Sequence, residues 1–321
     1  MRSRLVVLVA FAVAAVAVGF AAARFVAAAP PARPPAAHAT LPTAKGAYLG
    51  VYETGTPPNY QPVAEFAAAA GTQPNLIGYY SGWVEPFNTS FANMSRSHGA
   101  TPFVQIDPTD ASLPDIAAGD EDSYLRQFAD GVADFGHAVV IGFGHEMNSG
   151  KYSWGYGHVP AATFVKAWRH IVTIFRAEGA DNVTWLWTLE ADAPGTGPIA
   201  DWWPGSQYVT WIGIDGYYYR SSDTFSSVFG KTIDQVRQLT GKPVLLSETA
   251  VGPQAGQTVK ILDLFHGMAD YDTLGVVWFD IAQHDGLYHQ DWRIEDNQAA
   301  EYAFRLGVRD ELTLVSPGQH S

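Results

Sequence analysis

Residues Val139 to Trp154 read V-V-I-G-F-G-H-E-M-N-S-G-K-Y-S-W. The first five form an apolar run short enough for a strand and rich in β-branched residues, the pattern of a strand buried on both faces. A glycine follows, and then His145-Glu146, a polar pair where such a strand would emerge into a loop. A carboxylate delivered to a strand end beside a histidine and an aromatic loop suggests chemistry. A lone strand-end glutamate is more often an ion-pair partner or a cap, so this reading requires a second acid. Glu248, in the context P-V-L-L-S-E-T-A, is the matching candidate.

Working outward, seven further apolar runs share this character: Ala47–Tyr52, Asn75–Tyr80, Thr101–Ile106, Val183–Thr188, Val209–Ile214, Pro243–Ser247 and Leu274–Phe279. With Ala138–Phe143 they make eight, the number that closes a parallel (β/α)8 barrel. Helical periodicity falls between most of them, over Pro62–Ala70, Phe87–Ser97, Ser123–Phe135, Ala161–Glu178, Thr232–Leu239, Thr258–Met268 and Asn297–Leu306. Only Ile199–Trp203 is available between the fifth and sixth runs, so that helix is short. An open doubly wound sheet would show a G-x-G-x-x-G turn after its first strand, and Gly50-Val51-Tyr52-Glu53 supplies none. The expected fold is therefore α/β, a TIM barrel forming a single catalytic domain over residues 46–309. A C-terminal tail covers 310–321.

The N-terminal part reads differently. Arg2 and Arg4 precede an uncharged, almost wholly apolar run from Leu5 to Ala23. That is the pattern of export, by a signal peptide or an N-terminal membrane anchor over residues 1–27. If it is an anchor, the two arginines keep the N-terminus in the cytoplasm and put the catalytic domain outside. Residues 28–45, rich in Pro and Ala, read as a semi-rigid linker. Of 19 basic residues, five lie in positions 1–45 and no acid does, so the remainder sets 14 basic against 32 acidic residues. Such acidity excludes a nucleic-acid partner, which would need a basic footprint. The chain has no cysteine, so neither disulfides nor thiol catalysis enter. Its 10 Trp, 15 Tyr and 17 Phe exceed core needs and suit a cleft that covers the apolar faces of sugars.

In a barrel of this kind the chemistry sits at the C-terminal ends of the strands. The residues just past the runs are Glu53, Ser81-Gly82-Trp83, Asp107, His145-Glu146, Glu190, Asp215 with Tyr217, Glu248 and Asp280. Glu146 ends the fourth run and Glu248 the seventh, so the two can face each other across the mouth. Two such carboxylates serve glycoside cleavage, one as acid and one as nucleophile or base. A zinc protease would need H-E-x-x-H, but Asn148 follows His145-Glu146-Met147. A serine hydrolase would need G-x-S-x-G, and Ser247 lies in L-L-S-E-T. His284 and His289 read as ordinary loop histidines. No metal and no cofactor is expected.

The motif Gly144-His145-Glu146-Met147-Asn148 with Trp154-Gly155 resembles the acid/base motif of glycoside hydrolase family 26, the β-mannanase family of a large retaining (β/α)8 clan. The resemblance extends through Asn182–Trp187, Asp201–Gly205, Trp211–Tyr217, Ser247-Glu248-Thr249, Val277-Trp278-Phe279 and Asp291-Trp292-Arg293, covering most of residues 47–307. It implies Glu146 as acid/base and Glu248 as nucleophile, with Tyr217 holding the nucleophile. It also implies substrate contacts from His145, Trp154 and Trp278, the last stacking beneath the reacting sugar. The sequence departs from the family pattern at Phe143-Gly144, where an arginine is common, at Ser149-Gly150, and at Ile106-Asp107-Pro108. These departures alter the walls of the sugar subsites and leave the glutamates in place. The implied activity is retaining, endo-acting cleavage of β-1,4-mannan. A β-1,3-xylan or mixed-linkage β-glucan is the alternative polysaccharide, and a non-catalytic glycan-binding protein the alternative class.

Overall fold

The computed structural model describes residues 41–282 and 290–316. The expected signal peptide or anchor, the linker up to residue 40, residues 317–321, His284 and His289 lie outside them. Eight parallel strands close into a barrel in sequence order. They are β1 Tyr48–Glu53, β2 Leu76–Gly82, β3 Thr101–Asp107, β4 Val139–Phe143, β5 Val183–Glu190, β6 Trp211–Tyr218, β7 Val244–Val251 and β8 Gly275–Asp280. Closure is made by six consecutive register pairs between β1 and β8, from Tyr48↔Gly275 to Glu53↔Asp280. Helices α1 Gln61–Ala70, α2 Thr89–Ser97, α3 Leu113–Ala118, α4 Asp122–Phe135, α5 Ala161–Ala177, α6 Lys231–Leu239, α7 Gln257–Asp270 and α8 Gln298–Glu311 occupy the connections. A one-turn 3-10 segment, Ile199–Trp202, lies between β5 and β6. The sequence pattern misses α3, whose six residues are too few to show a helical period.

Because side chains alternate along a strand, the barrel sorts its residues into two cores. Tyr48, Leu76, Phe103, Val140, Leu186, Trp211, Leu245 and Val277 meet in the interior. Their strand neighbours, such as Ile77, Val104, Ile141, Ile212 and Val276, face the helices. On α5, Phe164, Trp168, Ile171 and Phe175 recur at helical spacing and are buried against the wall. This double burial explains why the strands read as continuous apolar runs.

The domain is wider than the sequence boundaries suggest. Helix α8 runs through the expected boundary at residue 309, and Leu312 and Leu314 pack on the outer core. Leu41 and Val315 pack on the interior core, so the described ends of the linker and tail belong to the barrel. The buried carboxamide of Asn75 joins these pieces. Its Oδ1 accepts from Leu49 N at 2.9 Å, and its Nδ2 donates to the carbonyls of Ala47 (2.8 Å) and Val315 (2.9 Å). Asn75→Ala is expected to lower unfolding stability by about 1–3 kcal/mol, because it strands buried backbone groups. A lower urea midpoint at unchanged slope checks this.

Candidate active site

The loop after β4 carries the first carboxylate. Gly144 turns the chain with φ +53°, and an added Cβ there would lie 3.1 Å from the Phe164 ring and 3.3 Å from that of Trp154. Glu146 itself has φ +52°, an uncommon conformation for a side-chain-bearing residue. Backbone bonds hold it there: Glu146 N donates to Thr188 O at 3.1 Å, and Ser149 N donates to Glu146 O at 2.9 Å. Asn148 fastens the loop to β5, its carboxamide donating to Glu190 O (2.9 Å) and accepting from Glu190 N (2.8 Å). The residue that breaks the zinc motif thus secures the strand end beside Glu146.

The second carboxylate depends on a bulge. Against β6, the register steps from Gly213↔Leu245 to Asp215↔Glu248, so β7 holds one extra residue over this interval. Ser247 faces the interior, where its Oγ donates to Asp215 Oδ1 at 2.5 Å. Strict alternation would turn Glu248 outward. The bulge instead turns it into the mouth, where its Oε1 accepts a hydrogen bond from the Tyr217 hydroxyl. Tyr217 lies two residues beyond Asp215 on β6, on the same face.

Electrostatically the two acids differ. Burial pushes Glu248 up to about 8, while the Tyr217 O–H favours its ionised form. Burial also raises Glu146, with Lys151 opposing and Glu190 reinforcing that shift. Lys151 Nζ lies 3.1 Å and 3.4 Å from the two Glu146 oxygens and 3.0 Å from Glu190 Oε1. The Glu146 charge also acts on Tyr217, the residue that donates to Glu248. Beneath them Asp215 is fully buried. Burial raises it well above the carboxylate range, and Glu146 adds to the shift.

The expected sugar contacts are rearranged. His145 is 5 % exposed, with Nδ1 2.8 Å from Asp107 Oδ1 and Nε2 3.0 Å from the Tyr152 hydroxyl. Both ring nitrogens are engaged, so it braces the site and does not reach Glu248 or present a free nitrogen to a sugar. Burial works against its charged form, but Asp107 outweighs that, with Glu146 and Asp215 adding, and the imidazole is raised. Trp154 is also buried. Its indole N–H donates to His145 O at 2.9 Å, and Tyr152 stacks on its face at 4.6 Å and 2°. The half-buried Tyr152, overlooked in the sequence, is the ring on the cleft side.

Trp278 is corrected most clearly. It is fully buried on the outer face of β8, edge-on to Phe304 of α8 at 5.1 Å. Its N–H donates to Trp292 O at 3.0 Å. Val277 and Phe279 face inward, so Trp278 cannot. Phe279 occupies the inner position, 5.8 Å from Tyr217. Period-two alternation counted from Val277 would have found it. Nothing in the sequence marks Lys151, because its role requires Glu190 from another strand. Alternation also divides the strand-end acids: Asp107, Glu190 and Asp215 surround the centre, whereas Glu53 and Asp280 turn behind the wall. A groove of about 800 Å3 opens on the β1–β2 side, lined by Tyr52, Tyr80, Glu85 and Asn88. The ring of Tyr80 leads from it to His145, 5.2 Å away.

Comparison with known proteins agrees with this architecture. Residues 87–305 match the family model for glycosyl hydrolase family 26. The chain is 26% identical over 280 residues to Endoglucanase H of Acetivibrio thermocellus, spanning 82% of this chain but only 30% of that protein. The fold is similar to that of Bacillus subtilis mannanase man26, with TM-score 0.63 and 19% identity over 87% of this chain and 89% of that one. It is also similar to a modular endo-β-1,4-mannanase of Cellulomonas fimi, with TM-score 0.65 and 17% identity over 84% and 72% of the two chains. A family match across most of the barrel, including the ends of β4 and β7, establishes that the chain belongs to glycosyl hydrolase family 26 and is a glycoside hydrolase.

Proposed function

We propose that this glycoside hydrolase cleaves β-1,4-mannan internally by double displacement, with Glu248 as nucleophile and Glu146 as acid/base. The observation carrying this reading is that two buried carboxylates stand at the C-terminal mouth of the barrel with different partners: a hydroxyl donor on Glu248, and a Lys–Glu pair on Glu146. Retention is the known mechanism of the family. In the first step Glu248 attacks the anomeric carbon while Glu146 gives its proton to the departing glycosidic oxygen. The attack removes the Glu248 charge, so Glu146 becomes more acidic and can take a proton from the incoming water. Water then displaces Glu248, and the anomeric configuration is restored. Tyr217 holds the nucleophile, and His145 acts as a positioning residue through Asp107 and Tyr152. Tyr152, Phe279 and the Tyr80 groove supply the surfaces against which sugar rings stack.

A second substrate reading, mixed-linkage β-glucan, is favoured by the endoglucanase name of the sequence relative. Because the match spans under a third of that protein, the name need not describe the matched part. A reducing-sugar assay with product analysis on β-mannan, β-1,3-xylan and mixed-linkage β-glucan decides between them. Binding without hydrolysis across this panel would instead make the chain a glycan-binding protein. The basic and then apolar N-terminus supports export, tested by finding the protein in the medium or on the outer membrane surface.

Three expectations follow from these roles. Glu248→Ala abolishes turnover, and retained wild-type activity would sink the assignment. Glu146→Ala lowers kcat/KM on polysaccharide by about 10²–10⁴-fold. It still cleaves aryl glycosides with good leaving groups, and azide restores turnover by trapping the glycosyl enzyme. Tyr217→Phe lowers kcat by roughly 10–100-fold with little change in KM, the effect of losing a hydrogen bond to a charged group worth about 1.5–3 kcal/mol.

The pH profile supplies a further test. The reaction needs Glu146 protonated, so its pKa sets the alkaline limb of kcat/KM. Lys151 favours the ionised form, and Lys151→Met should therefore move that limb to higher pH. Glu190 disfavours the ionised form, and Glu190→Gln should move it to lower pH. Shifts of the same sign would rule out this arrangement.

A further inference from the structure

Behind the barrel wall, on the far side from the catalytic centre, three carboxylates converge. Glu53 ends β1 and Asp280 ends β8, in direct register. Glu295 comes from the segment leading into α8. One oxygen from each lies within 4.8 Å of the others, a spacing that one ion about 2.3–2.6 Å from each can bridge. A groove of about 830 Å3 reaches the cluster between α1 and α8, past Pro62, Glu65, Glu301 and Arg305.

Clustering alone would mean little. The second observation is that Glu53 Oε1, Asp280 Oδ2 and Glu295 Oε2 are all sealed from solvent and, among the described residues, receive no hydrogen bond from outside the cluster. Asp280 is only 1 % exposed. Its Oδ1 accepts from Ile294 N at 3.2 Å, which fixes the carboxylate while Oδ2 faces only the other two carboxyls. The nearby guanidinium groups donate their hydrogen bonds elsewhere, and only the Arg293 charge still acts on Glu53 and Glu295. Arg293 is held by Asp291 (2.8 and 2.5 Å) and Asp296 (2.7 Å). Arg305 is held by the carbonyls of Ala69 (2.7 Å) and Ala68 (2.8 Å). Buried carboxylates are ordinarily paired, protonated or bound to a cation, and among the described residues these oxygens meet only one another's carboxyl groups.

We propose that Glu53, Asp280 and Glu295 bind a divalent cation of the calcium type, which clamps the segment before α8 to the β1–β8 seam. The donor set is all carboxylate, which selects a hard cation, and ligands from three separate segments suit the adaptable coordination of calcium better than the strict octahedron of magnesium. Glu53 and Glu295 are only partly buried on the groove side, where water can complete the shell. The clamped segment carries Trp292, whose ring packs 4.9 Å from Tyr217. The ion thus braces from behind the residue that holds Glu248, without touching substrate.

The test uses the full chain and does not depend on glycosidase activity. After chelation and desalting, calcium titration followed by calorimetry should find one site. At a hundredfold excess over Kd, the Tm should rise by roughly 5–10 °C. Glu295→Gln, at a partly exposed position that should still fold, and Asp280→Asn should each remove both effects. The proposal is overturned if the wild-type chain binds neither calcium nor magnesium at millimolar concentration, in which case the carboxylates share protons. It is equally overturned if binding persists unchanged in Glu295→Gln.

Discussion

The site depends on one departure from regular pairing, the extra residue in β7. In an unbroken strand, Ser247 and Glu248 would face opposite sides of the wall, and only one could enter the mouth. The bulge admits both, with Ser247 bonded to Asp215 below and Glu248 to Tyr217 above. A displacement of one residue therefore decides whether the chain has a buried acid behind its barrel or a carboxylate inside its mouth. The barrel tolerates this because β7 stays paired with β6 before and after the bulge and with β8 at Leu246 and Thr249.

Around that point the mouth is built as a set of constrained charges. Asp107 neutralises His145, Lys151 bridges Glu146 and Glu190, and Tyr217 donates to Glu248. Lys151 and Glu146 share the loop after β4, but the other pairings join residues from different strands or the loops that follow them, so the full set exists only once the barrel has closed. The uncommon backbone at Glu146 is part of the same economy. A left-handed residue survives where its carbonyl, its amide and the next turn are all fixed by neighbours, and here Thr188, Ser149 and Asn148 do this. The outer side of the wall gathers acid too, at Glu53 and Asp280, where alternation sends the last residue of each strand away from the centre.

The aromatic residues show how far composition could lead. Their number pointed to a sugar cleft, and part of that surplus faces it: Tyr80, Tyr152, Tyr217 and Phe279 are only partly buried at the rim. The tryptophans that looked most like platforms do structural work. Trp154 backs Tyr152, and Trp278 seals α8 against β8.

The eight apolar runs and intervening helical periods were legible from the chain alone, because a strand covered on both faces has no polar side to show. The two glutamates were legible too, since strand ends in such a barrel are where polar residues interrupt an apolar run. What a linear pattern could not carry was orientation and partnership. Trp278 and Phe279 are adjacent letters whose faces are fixed by register with β1. Lys151 gains its role from Glu190 across the loop, and Asn148 from the backbone of β5. The bulge that turns Glu248 inward is a count of residues against a neighbouring strand, and it has no meaning until that neighbour is in place.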